Sequence, residues 1–346
     1  MPYSIGVDLG GTNLRVAAYS HEVGLIETIS LPTRLELGSL AVVDDLCGAM
    51  KKLIAQYSQG MELAGIGIGL PGPLELPVGR VHSPPNLPGW DGFEFRREVE
   101  ARMELTITMD KDANLAALAE AGLGRGRSVG VKSLCMLTLG TGIGNGIILE
   151  GGIFHGAMGM AGEAGHLTVD ADGPVCGCRN QGCLEVYASA TAVVRLAREA
   201  IEGGAAGLAA IAESGPEGLT ARAVADAAAA GDADATRIFE IVGRAIGLGL
   251  AELVNTLNLP LYVVGGGLAA AWDLFAPALF RELRARSYVY RLTGPGTRVG
   301  GSFPFGGTQV MPAELGTDAG LLGACLLGFA ESEKASDLTS LRMQVR

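Results

Sequence analysis

Apolar residues alternate with Gly6 and Asp8 from Tyr3 to Leu9, stop at Gly10-Gly11, and resume as Leu14-Arg-Val-Ala-Ala-Tyr. That pattern predicts a strand, a glycine turn and a second strand. A third strand is expected over Gly24 to Leu31, and Leu40 to Tyr57 carry apolar residues at helical spacing. Ala64 to Leu70 reads as a further strand, closed by Pro71-Gly72-Pro73. The second half opens with the same figure: Ser133 to Leu139, a turn over Gly140-Thr-Gly-Ile-Gly-Asn-Gly, then Ile147-Ile-Leu. Two readings are open, a distant internal duplication or glycine hairpins that recur in a chain with 53 glycines. Leu184 to Ile201 and Arg237 to Leu257 are expected helices, and in the second Gly243, Gly247 and Gly249 would let another backbone approach closely. Gly203 to Asp234 should form short helices and loops. Leu261 to Val264 reads as a buried strand before the Gly265-Gly-Gly turn, and Ala319 to Ala330 as a closing helix. The polar tail from Glu331 to Arg346 is expected to fray.

With 346 residues, two packed domains are expected, because single cores stop growing below that size. Hydrophobic residues at 48% against 18% charged give a globular balance and exclude wholesale disorder. A formal net charge of −11 argues against nucleic acid and anionic membranes as partners, while leaving room for a local anion site. No stretch reads as a membrane span, and Met-Pro-Tyr-Ser runs into a strand without the features of a signal peptide, so a cytoplasmic protein is expected. Of six cysteines, Cys47, Cys135 and Cys325 stand alone in apolar surroundings and read as core thiols.

Candidate chemistry sits at the turns. Asp8-Leu-Gly-Gly-Thr-Asn places Gly10, Gly11, Thr12 and Asn13 where backbone N–H groups and a hydroxyl can cradle a phosphate, with Asp8 facing a metal-bound triphosphate; alone it could equally be a plain hairpin. Gly140, Thr141 and Gly142 open the matching turn, and Gly265, Gly266 and Gly267 could admit a base or ribose. Met109-Asp-Lys-Asp-Ala-Asn lies between a strand and a helix. Asp112 there is either a helix N-cap or a base that takes the proton of a sugar hydroxyl attacking a γ-phosphate. His166, Cys176, Cys178 and Cys183 supply one imidazole and three thiolates within eighteen residues, the donor set of a closed, structural Zn²⁺ site. Such an ion would fix the orientation of His166, Glu163 and Glu185.

Together these motifs resemble the ROK family of sugar kinases and repressors. The resemblance runs from Ile5 to about Gly328 and rests on Asp8-Leu-Gly-Gly-Thr, Leu70-Pro-Gly-Pro, Ser83-Pro-Pro-Asn-Leu-Pro-Gly-Trp, Asp112-Ala-Asn with Glu120, Leu139-Gly-Thr-Gly-Ile-Gly-Asn-Gly, Gly162-Glu-Ala-Gly-His, the Cys-Gly-Cys cluster and Leu315-Gly-Thr-Asp-Ala-Gly-Leu-Leu-Gly-Ala. It implies an α/β fold of two actin-like (ribonuclease H-like) domains, each a mixed sheet with flanking helices, around a central cleft. The expected division is 1–112 with 318–346 as the small domain and 113–317 as the large one. It also implies ATP with Mg²⁺ as cofactor and Asp112 as base. Asn86, Lys111, Asp112, Glu163, His166 and Glu185 would hold a hexose, most simply glucose converted to glucose 6-phosphate. N-acetylmannosamine, N-acetylglucosamine or fructose are alternative substrates, a sugar-binding regulator is an alternative role, and a homo-oligomer (dimer or tetramer) is expected. Lys111 stands where the family usually has Asn, a departure compatible with a modified or acidic sugar, and Arg179 stands where it usually has Gly.

Overall fold

The computed structural model describes residues 1–82, 87–213 and 218–330. Asn86 and the tail 331–346 lie outside the described residues, as does the start of the Ser83 motif. The chain divides into two compact units, 1–122 with 146–161 and 318–346, and 123–145 with 162–317. The sequence expectation placed 113–122 and 146–161 in the second domain, whereas they group with the first. The reason is packing: a Cβ on Gly146 would meet Ala113 O and Ala117 Cβ at 2.6 Å, so this stretch lies directly on the helix Asp112–Gly122.

Among the described residues the strands are β1 (Pro2–Leu9), β2 (Asn13–Ser20), β3 (Gly24–Pro32), β4 (Glu62–Leu70), β5 (Leu74–Glu75), β6 (Arg80–Val81), β7 (Thr108–Lys111), β8 (Leu134–Leu139), β9 (Ile143–Leu149), β10 (Gly152–Ile153), β11 (Leu261–Gly265) and β12 (Gln309–Pro312). β5 and β6 form a small ribbon of their own. The large sheets run β3-β2-β1-β4-β7 and β10-β9-β8-β11-β12. Strand for strand the two orders coincide. In each, the last three strands are parallel: β1, β4 and β7 in one, β8, β11 and β12 in the other. A recurrence of hairpins by chance would not reproduce a five-strand order, so the duplication reading accounts for both halves.

The first unit's core gathers Tyr3, Ile5, Val7 and Leu9 of β1 with Leu46, Met50 and Leu53 of the helix Ser39–Tyr57 and with Trp90 and Phe95. In the second unit the helix Ala233–Leu257 crosses Trp272–Arg286 at close range. A Cβ on Gly247 would stand 2.5 Å from Leu279 O, and one on Gly243 would overlap Phe275 O, which is the backbone approach these glycines permit.

Two expectations shift. The second glycine turn is short, because β9 already begins at Ile143 and buries Ile143, Asn145 and Ile147. The helix expected over Leu184 to Ile201 breaks into Glu185–Ala188 and Ala190–Glu202. Ser189 is extended at φ −94 and ψ 165, and its hydroxyl accepts from Ala192 N, capping the second piece. Cys47, Cys135 and Cys325 are buried as expected. Among the described residues no helix is long and apolar enough to cross a membrane.

Candidate active site

The first unit assembles its candidate residues at one end of one sheet. Register aligns Asp8 with Gly69, and Gly69 with Asp110. At the usual strand spacing, Asp8 and Asp110 are therefore about 10 Å apart, both at the C-terminal ends of parallel strands. Open α/β sheets bind ligands at that edge. The turn after β1 is closed by Gly10 N donating to Asn13 O at 2.9 Å and braced by Thr33, whose hydroxyl donates to Gly10 O at 2.8 Å. Among the described residues, the N–H groups of Gly11 and Thr12 have no partner, and donors placed like this can take an anion. Asp8 accepts from Arg15 at 2.7 Å, and Arg15 also reaches Asp318 at 2.9 Å. Residue-level reading of the sequence missed Arg15. The hairpin arithmetic would have found it, since a turn at Gly10 to Thr12 pairs position 8 with position 15.

Asp112 is the first residue of the helix Asp112–Gly122, immediately beyond β7. It is half-buried, and its Oδ1 accepts from Ala113 N at 2.6 Å. The residues before it are clamped. Asp110, 2% exposed, accepts from Asn114 Nδ2 at 2.8 Å and lies 2.6 Å from His155 Nε2. Lys111, 6% exposed, donates from Nζ to Ala161 O at 2.8 Å. Ala161 N in turn donates to His155 O at 3.0 Å, so Asp110 and Lys111 hold the two ends of one loop. Neither His155 nor Asp110 was singled out by the sequence, because no spacing rule links residues so far apart.

The second unit repeats the arrangement with different supports. Gly140 N donates to Gly142 O at 2.9 Å, and among the described residues the N–H groups of Thr141 and Gly142 have no partner. Ala190 N donates to Gly140 O at 2.8 Å and Thr191 Oγ1 to Thr141 O at 2.8 Å, so the helix break at Ser189 is what docks this turn. Gly266, at φ +83, lies against the end of β8: a Cβ there would meet Leu139 O at 2.5 Å. The Gly140–Gly142 and Gly265–Gly267 turns are thereby neighbours. Glu185 joins them, its Oε2 accepting from Ile143 N at 2.8 Å while a Cβ on Gly142 would overlap that same oxygen.

The Cys/His cluster is adjacent. Glu185 Oε1 lies 3.9 Å from Cys176 Sγ, which is 3.7 Å from His166 Nδ1, and Cys178 Sγ is 3.6 Å from Cys183 Sγ. All four ligand atoms lie within 4.8 Å of one another. Zinc–sulfur bonds of about 2.3 Å in a tetrahedron separate the sulfurs by about 3.8 Å, so the donors present fit a metal ion of that kind. Burial pushes the Cys183 thiol up to about 12 and raises Cys176 as well. Thiols in that state ionise when a cation supplies the compensating charge. Glu163 is exposed and follows Gly162; its carbonyl accepts from His166 N at 3.0 Å, a tight turn that sets the Glu163 and His166 side chains three residues apart.

Comparison with known proteins agrees with this topology. The ROK family profile matches residues 4–330, and the chain belongs to that family. A glucokinase of Halalkalibacterium halodurans is 35% identical over 321 residues, 92% of each chain. A ROK family glucokinase from Streptomyces griseus, solved with glucose and AMPPNP, superposes with a TM-score of 0.76 at 31% identity, covering 94% of this chain and 99% of that one. A xylose repressor of Caldicellulosiruptor bescii is 31% identical over 82% of this chain and 71% of the repressor.

Proposed function

We propose that this chain is a cytoplasmic, ATP-dependent sugar kinase that phosphorylates a hexose, converting glucose to glucose 6-phosphate. The observation that carries the reading is the register of the first sheet, which sets Asp112 and the Asp8–Asn13 turn on the same edge at the ends of two parallel strands, β7 and β1, with β4 between them. A phosphate nest and a carboxylate base are the two parts phosphoryl transfer needs close together. The similarity to bacterial glucokinases, one of them solved with glucose and AMPPNP, supports the choice of sugar and donor.

In this reading Asp112 accepts the proton of the attacking hydroxyl as its oxygen bonds to the γ-phosphorus and the bond to the β-phosphate oxygen breaks. In the Gly10, Gly11, Thr12 and Asn13 turn the Gly11 and Thr12 N–H groups are offered to phosphate oxygens, and in the Gly140, Thr141 and Gly142 turn those of Thr141 and Gly142. Gly265, Gly266 and Gly267 take the adenosine, and Asp8, fixed by Arg15, faces the phosphates. Mg²⁺ bound with ATP supplies charge neutralisation. Asn86, Glu163, His166 and Glu185 orient the hexose, since each carboxylate can accept two hydroxyl bonds. A structural Zn²⁺ on His166, Cys176, Cys178 and Cys183 keeps the His166 ring and Glu185 in place. Lys111, beside Asp112 and bonded to Ala161 O, holds the loop end next to the proposed base and keeps its charge for the sugar.

A coupled assay of ADP release across glucose, mannose, fructose, N-acetylglucosamine and N-acetylmannosamine tests the reading. Glucose should give the highest kcat/KM. Preference for an N-acetylhexosamine would replace the substrate but keep the class, and no sugar-dependent ADP release would remove the proposal.

A further inference from the structure

The second unit holds a cavity of about 430 Å³ that none of the proposed chemistry uses. Its walls include Phe280, Arg284, Tyr290, Arg291, Thr297 and Gln309. The size lies in the range of small-molecule sites, roughly 300–1,000 Å³. It is remote from the glycine turns along the sheet. Gln309 and Val310 pair with Leu261 and Tyr262 at the start of β11, whereas Gly265 ends that strand, about 13 Å further on at the rise per residue of a strand.

Charge sets this cavity apart. The chain carries 37 acidic and 26 basic side chains, and the neighbouring Arg244, Arg281 and Arg286 each face a glutamate. Among the described residues, Arg284 and Arg291 face none. Arg284 lies over the Phe280 ring, 5.4 Å from its centroid. Arg291 donates to Ala285 O at 2.9 Å, satisfying an end carbonyl of the helix Trp272–Arg286 and leaving its other N–H groups for a further partner. Tyr290 is 4% exposed as a residue and lines the cavity, and its hydroxyl, which is not fully enclosed, makes no hydrogen bond to the chain among the described residues. Burial raises that hydroxyl's pKa, so at neutral pH it is a donor. Basic residues in a last helical turn answer the helix's negative end, which explains Arg284 by itself. It does not explain an aromatic wall and a second arginine, Arg291, lining the same space.

We propose that this cavity is a binding site for a small organic phosphate, distinct from the nucleotide turns. The guanidinium groups of Arg284 and Arg291 and the Tyr290 hydroxyl are three donor groups for the three terminal oxygens of a phosphate monoester, where a carboxylate offers two. The Phe280 and Tyr290 rings receive the organic part. The site shares no residue with the kinase reading and is measured by binding alone, so either can fail without the other.

Isothermal titration of the full-length protein with phenyl phosphate tests it, with phenol and inorganic phosphate as comparators. Phenyl phosphate should bind in the millimolar range or tighter and more strongly than either comparator. The variants Arg284→Gln and Arg291→Gln should each weaken it about tenfold, and Tyr290→Phe a few-fold, as expected for loss of charge-assisted and neutral hydrogen bonds. Saturating AMPPNP should leave the affinity unchanged. The proposal is overturned by no binding to the unaltered protein, by equal affinity in the two arginine variants, by displacement with AMPPNP, or by a second copy of the chain found occupying the cavity.

Discussion

The two halves share a strand order and a glycine turn after the first strand of each sheet, but they support that turn in different ways. In the first half an ion cluster, Asp8 with Arg15 and Asp318, lies behind it. In the second half Glu185 takes that place, bonded to Ile143 N and reaching toward the cysteine cluster. The duplicated topology thus supplies two glycine turns with unpartnered N–H groups, while the carboxylates around them have diverged. One half carries the proposed base at the end of β7, and the other carries the groups proposed to hold the sugar. Among the described residues only the second half brings four metal-type donors together beside its turn, a set that could hold an ion where the first half has a salt bridge.

That contrast can be broken at several points. The largest effect is expected at Cys183, which is buried at 0% exposure. Cys183→Ser should abolish bound zinc and lower the melting midpoint by about 10 °C, since a lost structural ion costs several kcal/mol and each shifts a domain of this size by about 2–4 °C. Metal analysis of the purified proteins checks it, and an unaltered protein free of zinc would remove the metal from the account. Next is Gly142→Ala, whose new methyl would overlap Glu185 Oε2. Displacing that carboxylate breaks its bond to Ile143 N, so turnover should fall at least about tenfold while zinc content stays intact, with about 1–3 kcal/mol of stability lost. The smallest is Lys111→Met. It removes the bond to Ala161 O and should cost about 1–3 kcal/mol by denaturant unfolding, with a larger change in KM than in kcat if the residue acts by holding the loop. A loss of turnover confined to an acidic sugar, compared with the unaltered chain, would support the reading that Lys111 meets the substrate.

Much of this was legible in the sequence where the signal was local. The glycine turns, the strand-to-helix junction at Asp112 and the four metal-type donors each fall within a short window, and the repeated strand–turn–strand figure anticipated the matched sheets. Contacts across long separations were not legible. Lys111 meets Ala161 across 50 positions and Asp110 meets His155 across 45, and no periodicity encodes such meetings. The same limit hid the domain assignment of 146–161, which follows from how Gly146 packs on the helix rather than from any break in composition. The helix break at Ser189 was visible only as a capping residue inside an apolar run, a signal that helical periodicity outweighs until the Gly140 turn is seen docked there.

Asp112→Asn tests the central claim most directly, with turnover measured beside glucose affinity by titration. The account predicts that kcat falls about 10²-fold or more while glucose binds within a few-fold of the unaltered protein. Turnover that survives the substitution would contradict the assignment of Asp112 as the base.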